Sequence, residues 1–415
     1  MQIHKLIYKN LLWRGFFYVT VLGLNIAMAR MLGAELSGGL NFFLTNIYLV
    51  LLIGSLCLDA GIVYYVSKKD PIEGILAPFA VVWSVIVSVI IAGLFILFYK
   101  TNNSIFKNSF LFYACICYSL GTFLNIYFIA FFYSYDNYKI PNLVAGLINL
   151  CLLFCIPWHK NWPFTFDTDT FLLIFFAATL LQGVIISVWW FVNSKKPFLL
   201  HFNRIKNIIP VMKYSITALA GNFTYFIMYR IDYWFVDRYC TDKSLGNYIQ
   251  VSRLGQLLIL PSVIIAQALF TQASKENITF ETQSFGKIVR VMLFCYFLAA
   301  VFLFLFGEPV ILYVWGNEFD EMYEPLMITL PGIIFLSVSY LFSPIFAGQG
   351  KVSYNVLIAL LTLVVVVICN LLLVPVWGIN GAAVSTSIGF LVMMILNVII
   401  ANRKFGFTLN IFSGK

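Results

Sequence analysis

Charge is what this chain lacks. Asp, Glu, Lys and Arg make up only 10% of its 415 residues, against about 25% in a soluble globular domain. A soluble fold of this length could not cover its surface with so few charges, which excludes the two or three soluble domains that the length would otherwise hold. Histidine is nearly missing. His4, His159 and His201 all fall in predicted loops, which argues against a histidine metal site or proton relay. The eight Cys contain no CxxC pair, and all but Cys240 lie in or beside apolar runs. They read as small apolar packing residues rather than disulfides or metal ligands. Neither a metal nor a cofactor is implied.

What is present is apolar. Hydrophobic residues reach 61%, with 42 Phe, so the outside of the protein is apolar as well and its solvent is lipid. Apolar runs fall near 11–32, 39–66, 74–99, 110–133, 141–157 and 170–193, and again near 208–237, 247–271, 286–314, 325–348, 354–375 and 380–401. Each is close to the roughly 20 residues that span a bilayer as a helix, and none shows the two-residue alternation of a barrel strand. The fold class is therefore an all-α polytopic membrane protein with about twelve transmembrane helices and short loops. The N-terminal run has no small-residue cleavage site after it and reads as a retained first helix, not a signal peptide.

Lys and Arg set the orientation. The side of the N-terminus collects most of them, including Lys5, Lys9, Lys68, Lys69, Lys195, Lys196, Arg403 and Lys404. The other side holds only Arg30, Lys100, Lys107, Lys160, Arg238 and Lys243. Both termini are expected in the cytoplasm and the protein in the cytoplasmic (inner) membrane. The excess of 26 Lys and Arg over 17 Asp and Glu is dispersed between apolar runs, so it is a topology signal and not a nucleic-acid stripe. Glu308, Glu318, Asp320, Glu321 and Glu324 form an acidic outer loop, read as solvated surface.

The two halves look alike. Arg30, Gly33 and Gly38 align with Arg238, Thr241 and Gly246 at a constant offset of half the chain, each set running from a helix end through a polar turn to a Gly that opens the next span. Tyr138–Asn142 has a rough counterpart in Gly350–Asn355. Two matches at nearly one offset indicate a duplication: a six-helix lobe at 1–194, a basic cytoplasmic linker at 195–207, and a second six-helix lobe with a short tail at 208–415. Two parallel bundles about a central cleft suit alternating access.

Ionisable residues inside spans are costly and are functional candidates by default. Arg14 and Asp59 lie equally far from the first outer turn, so they share a depth, and Asp59 reads as a structural ion pair with Arg14 or as a coupling group. Arg230 and Arg253 flank the 241–242 turn in the same way. Asp232, two residues from Arg230, points to a different face and can neutralise at most one Arg. This pattern fits either a structural triad with bound water or an anion cavity, since forked guanidinium groups suit phosphate oxygens. Thr20, Asn25, Thr217, Asn222 and Thr224 add polar groups to helices one and seven, read either as a wet lumen or as helix–helix hydrogen bonds.

Three stretches carry a resemblance to a known family. Ala29, Arg30, Gly33 and Gly38 followed by Leu58, Asp59, Ala60 and Gly61 resemble the opening of the polysaccharide flippase (Wzx-like) family of the MOP superfamily, which also holds the MATE exporters and lipid II flippases. Arg230, Asp232, Gly246, Tyr248, Arg253 and Pro261 look like its helices seven and eight. Ala347 to Lys351, Asn355, Asn370, Pro375, Gly378 and Gly381 to Ala383 look like its helices ten to twelve, the most specific of the three. The resemblance implies a MATE-like fold and export of an undecaprenyl-diphosphate-linked oligosaccharide repeat unit for surface polysaccharide such as O-antigen or capsule. It also implies coupling to a proton or sodium gradient and work beside a polysaccharide polymerase. The family's cationic lumen maps here onto Arg14, Arg230, Arg253 and an inward-turned Arg30, with Asn25, Asn222 and Asp232 as further substrate-binding candidates. No chemistry on the substrate is needed, so no catalytic residue is expected. The alternative in the same fold is a MATE-type multidrug or cation antiporter, against which an acid-poor, Arg-bearing interior argues. A multi-pass polymerase would need a larger outer loop than any here.

Overall fold

In the computed structural model the described residues are 2–67, 72–99, 108–156, 168–194, 208–273, 282–348, 351 and 353–405, and all regular structure among them is helical. The helices are α1 (Gln2–Ser55), α2 (Leu58–Ser67), α3 (Glu73–Tyr99), α4 (Asn108–Ser134), α5 (Lys139–Cys155) and α6 (Thr168–Ser194). Then come α7 (Ile209–Tyr239), α8 (Asp242–Ala273), α9 (Thr282–Trp315), a 3-10 turn at Asn317–Met322, α10 (Tyr323–Gly348) and α11 (Ser353–Phe405). The expected linker at 195–207 lies outside the described residues, as do Lys68, Lys69 and several of the other basic residues that set the expected orientation.

Seven helices among the described residues are long and apolar enough to cross a membrane, against about twelve spans read from sequence. The difference has physical causes. A straight helix of 54 residues, the length of α1, would run about 80 Å through a hydrocarbon layer about 30 Å thick. α1 instead breaks at Gly33 (φ 75°, ψ 174°) and α11 at Gly378 (φ 54°, ψ −134°), so each holds two of the predicted spans. α7 and α8 are 31 and 32 residues long but carry the charged and amide side chains discussed below.

The chain forms two compact units, one of Met1–Met31 with Leu44–Phe223, the other of Leu32–Phe43 with Thr224–Lys415. In the first, α4 supplies buried Phe123, Tyr127, Phe128 and Phe131, and α6 supplies Phe176 and Trp190, with ring contacts between them. The opening of α7 belongs to this unit: Gly61 of α2 lies against Val211 and Ser215, and Tyr64 stacks on Tyr214 at 4.5 Å. In the second unit α9, α10 and α11 bury Phe285, Val289, Leu336, Phe342, Phe346, Ile358 and Phe390 together. A smaller cluster joins Tyr233, Val236, Leu245, Tyr248, Ile249, Val374, Ala382 and Ala383, with Phe42 packed against it.

Phe42 sits there because residues 32–43 are built into the C-terminal unit. Gly38 and Gly246, equivalent in the sequence repeat, meet backbone to backbone. A Cβ on Gly38 would stand 2.7 Å from the Gly246 nitrogen and 2.8 Å from the Asp242 carbonyl oxygen. A Cβ on Gly246 would overlap the carbonyl oxygen of Ala34, which is the repeat equivalent of Asp242. The contact is therefore reciprocal, as between two copies of one motif. The acidic loop adds to it. Glu318 accepts the Ala34 N–H at 3.0 Å, just past the Gly33 break, and Glu321 accepts the Ser244 hydroxyl at 2.6 Å. Thr241 caps α8 by accepting the Ser244 N–H at 3.2 Å, as an N-cap hydroxyl does. The loop read as solvated surface thus clamps the start of two helices, Glu318 through a backbone N–H and Glu321 through a hydroxyl, at the positive end of each dipole.

Two outcomes test this packing. Gly246→Val should cost about 1–3 kcal/mol through overpacking, whereas Gly15→Ala, with nothing within 4 Å of the new Cβ, should be neutral or stabilising by up to about 1 kcal/mol; thermal unfolding in detergent reads both. In the clamp, Lys243 donates to Asp320 at 2.7 Å, which holds that carboxyl below its ordinary range and raises the lysine. The Asp320 contribution is present above an unfolded pKa of about 3.9 and lost as pH falls through the lower folded value; the Lys243 contribution is present below about 10.4 and lost as pH rises through the higher one. Because both groups are exposed, Lys243→Ala should cost less than about 1 kcal/mol, by an amount that stays constant from about pH 5 to 9, read as the difference in melting temperature from the unsubstituted protein.

Candidate functional site

The second unit holds a dense polar group within its helices. Asp232 is 4% exposed on α7. A buried carboxylate is tolerated only when hydrogen bonds replace water, and here three donors converge on it. Tyr248 of α8 donates its hydroxyl at 2.5 Å, Thr386 of α11 donates at 3.3 Å, and the Tyr233 backbone N–H donates at 3.0 Å. No arginine is among them. Arg230 turns to the other face of α7, where its guanidinium bonds the Tyr233 hydroxyl and lies 4.9 Å from that ring's centroid. Helical spacing explains the split, since residues two apart project in different directions while residues three apart meet. Among the described residues Arg230 forms no salt bridge.

Arg253, half-buried on α8, donates to the Asn41 Oδ1 at 2.6 Å. Asn41 is 5% exposed and lies in the segment that Gly38 and Glu318 hold in this unit. Arg253 thus reaches a side chain from the other half of the sequence, two hundred residues away. Two further tyrosines extend the polar face of α7: Tyr225 donates to the Asn355 carbonyl at 3.3 Å, Tyr229 donates to Tyr340 of α10 at 3.1 Å, and Tyr225 and Tyr229 stack.

In the first unit the expected Arg14–Asp59 ion pair is not formed. Arg14 donates to the Tyr133 hydroxyl of α4 at 3.4 Å and lies 4.8 Å from that ring's centroid; Tyr133 in turn shares hydrogen bonds with Asn142 of α5. Asp59 sits in the first turn of α2 with its carboxylate against the backbone N–H groups of Asp59 and Ala60, a favourable place for an anion. The cause is a helix break absent from the sequence reading. Leu56 and Cys57 both adopt left-handed backbone (φ 50° and 49°), so the span predicted at 39–66 stops and restarts. Equal distance from the outer turn assumes one continuous helix, and the break voids it. The groups it frees are satisfied: Trp83 donates to the Gly54 carbonyl at 2.9 Å, Tyr127 to the Ser55 carbonyl at 3.0 Å, and the Cys57 N–H to the Ser55 hydroxyl at 3.0 Å. The only available signal was Asp59 itself, an acid where a helix starts.

The remaining candidates are dispersed. Asn25 back-bonds to the Val21 carbonyl at 2.9 Å, and Asn222 donates to the Cys57 sulfur at 3.3 Å. Arg30 is exposed. Thr20 joins a buried chain through Asn149 to Gln182, at 3.4 and 2.9 Å. Sequence reasoning passed over Tyr133, Thr386 and Asn41, and took Tyr248 only as part of the family-like motif, not as a partner of the charged groups. It also passed over Glu73, a 3% exposed carboxylate that accepts the Tyr135 hydroxyl at 2.5 Å.

No family model matches the chain. Among curated proteins it is similar to the probable low-salt glycan biosynthesis flippase Agl15 of Haloferax volcanii, 23% identical over 53% of this chain and 47% of the relative. It is also similar to the capsular polysaccharide biosynthesis protein CapF of Staphylococcus aureus, 22% identical over 63% of this chain and 66% of the relative. The matches thus span about half and just under two thirds of those two relatives. Among solved structures it resembles an inward-facing multidrug resistance MATE family transporter of the MOP superfamily, with TM-score 0.75 and 12% identity over 94% of both chains. It resembles the lipid II flippase MurJ equally, with TM-score 0.75 and 13% identity over 95% of this chain and 87% of that one. A MOP superfamily transporter from Pyrococcus furiosus gives TM-score 0.63 and 15% identity over 97% and 95%. The fold is therefore MATE-like.

The Asp232 network makes a measurable prediction. Tyr248→Phe removes its shortest donor and should cost about 1–3 kcal/mol. Asp232→Asn removes the charge that needed that donor, so the double variant should be more stable than the sum of the single losses by at least about 0.5 kcal/mol. Strict additivity in detergent melts would show that the two groups do not act together.

Proposed function

We propose that this chain is a flippase that carries an undecaprenyl-diphosphate-linked oligosaccharide repeat unit across the cytoplasmic membrane by alternating access, for surface polysaccharide such as O-antigen or capsule. In this reading it spans the membrane twelve times in two lobes, 1–194 and 208–415, with both termini cytoplasmic. Its direct partners are the lipid-linked glycan and membrane lipid, with a coupling proton or sodium ion and a neighbouring polymerase.

The observation that carries the reading is how the charges of α7 and α8 are partnered. Asp232 takes its hydrogen bonds from Tyr248, Thr386 and a backbone amide, and from neither arginine. Arg230 rests on a tyrosine and Arg253 bonds an amide oxygen. The acceptors seen on them are neutral and do not cancel the guanidinium charge, to which an anion binds more strongly. A diphosphate in hydrocarbon needs such cations. An inside-negative potential assists outward movement of negative charge by about 2.3 kcal/mol per charge per 100 mV. The glycan-related relatives point to the same substrate class. Arg14, resting on Tyr133, is the corresponding cation of the first unit; Arg30, Asn25 and Asn222 complete the proposed substrate-binding set, and Asp59 is its coupling candidate. The likeness to a MATE family transporter supports the second reading, a cation or drug antiporter.

A strain lacking the gene should accumulate undecaprenyl-diphosphate-oligosaccharide and lose surface polymer, with the lipid pool read by mass spectrometry. Restoring the unsubstituted protein should clear the pool, and Arg230→Gln/Arg253→Gln, inserted at equal level, should fail to do so by at least tenfold. Normal polymer output from the inserted double variant would overturn the role given to these arginines. An unchanged lipid pool together with altered drug susceptibility in the deletion strain would favour the antiporter.

A further inference from the structure

Two buried amides of α8 hold the underside of the acidic outer loop, and each keeps one polar atom unpartnered. Asn247 is wholly buried and Gln250 is 1% exposed. The Asn247 Nδ2 donates to the Lys243 carbonyl at 3.0 Å and to the Glu318 carbonyl at 3.3 Å. The Gln250 Oε1 accepts the indole N–H of Trp315, the last residue of α9, at 3.3 Å. These partners fix which way each amide points. A carbonyl only accepts and an indole N–H only donates, so turning either amide over would set like against like. The Asn247 Oδ1 and the Gln250 Nε2 are left over, both buried and both without a hydrogen-bond partner among the described residues. One is an acceptor and the other a donor. They stand three residues apart on one helix, where side chains meet.

We infer that α8 carries a binding site for one buried water, which donates to the Asn247 Oδ1 and accepts from the Gln250 Nε2. The chemistry of the two atoms selects water over other ligands. A metal cation is held by converging oxygens and would here face the hydrogens of the Gln250 amide; an anion would face the Asn247 oxygen. A sugar hydroxyl offers both a donor and an acceptor, but side chains as buried as these admit nothing of that size. A dry gap would leave two amide groups desolvated and unbonded, the costliest arrangement in a lipid-solvated protein. Water pairs with both and has bonding capacity left for a further polar neighbour, as buried waters commonly do. The site gives the outer loop an attachment beneath the Glu318 and Glu321 carboxylates. Asn247 grips the loop through the Glu318 backbone, Gln250 grips the end of α9 through Trp315, and the water ties the two amides into one unit.

Hydroxyl radicals that X-rays generate from bound water oxidise the side chains beside it, and mass spectrometry of the full chain in nanodiscs reads the result. Trp315 and Trp190 form an internal comparison. Both are 5% exposed, but Trp315 bonds Gln250, whereas Trp190 packs among Phe128, Phe131 and Phe191. In the unsubstituted protein Trp315 should be oxidised at least about fivefold faster than Trp190, since a buried water stands beside only one of them. After mixing into oxygen-18 water, the Trp315 product should carry the heavy isotope. Asn247→Leu/Gln250→Leu removes both bonding groups and should bring Trp315 to within about twofold of Trp190. Equal oxidation of the two tryptophans in the unsubstituted protein would show that the amides are dry and overturn the site. Fast oxidation of Trp315 that survives the double substitution would show water held by other groups, and would overturn it equally. Should the double variant fold poorly, the comparison within the unsubstituted protein decides.

Discussion

A polar group inside a lipid-solvated protein has no water to fall back on, and the internal geometry of this chain follows from that constraint. The helix break at Leu56–Cys57 persists because Trp83 and Tyr127 reach across from α3 and α4 to cover the carbonyls it exposes. Asp232 is tolerated at 4% exposure because three helices each send it a donor. The chain of Thr20, Asn149 and Gln182 joins α1, α5 and α6 for the same reason. These bonds are individually modest, but an unmade one in hydrocarbon is expensive, so they select one rotation for each helix.

The same constraint shapes how charge is carried. Pairing each arginine with a carboxylate would satisfy it and silence it. Arg14 and Arg230 lie over tyrosine rings, with guanidinium carbons 4.8 and 4.9 Å from the ring centroids, and Arg253 bonds an asparagine. A tyrosine offers a hydroxyl acceptor and the negative face of a ring, enough to hold a guanidinium in place. Such a partner does not cancel the positive charge. Meanwhile the acids are put to local use. Asp59 lies at a helix start, Glu318 bonds Ala34 beyond the Gly33 break, and Asp232 gathers α7, α8 and α11.

The two stretches that match at the sequence offset meet at one point. Gly38 and Gly246, equivalent by the repeat, lie against each other's preceding turn, and Ala34 and Asp242 exchange the same roles. Two backbones can approach so closely only where neither carries a Cβ, as in close helix packing within membranes. That contact draws residues 32–43 into the C-terminal unit, which in turn brings Asn41 to Arg253 and Phe42 to Trp234.

Composition and run length by themselves determined the solvent, the all-helical class and the approximate positions of the spans, because hydrocarbon admits few alternatives. The offset between Arg30–Gly38 and Arg238–Gly246 made the repeat legible, and the scarcity of charge singled out Arg14, Asp59, Arg230, Asp232 and Arg253. Partnership was a different matter. In lipid the outer face of a helix is as apolar as its packed face, so no amphipathic stripe fixes rotation, and a neutral partner such as Tyr133, Tyr248 or Asn41 does not stand out among many polar and aromatic residues. Depth counted along the chain put Arg14 opposite Asp59, but an unannounced break at Leu56 and Cys57 turned Asp59 to its own helix end. Only tertiary structure decided that Asp59 stays local, that Asp232 takes its hydrogen bonds from neither arginine, and that Arg253 bonds a side chain from the far half of the chain. Each outcome depends on which helix faces come together, a property of packed helices that no single helix carries.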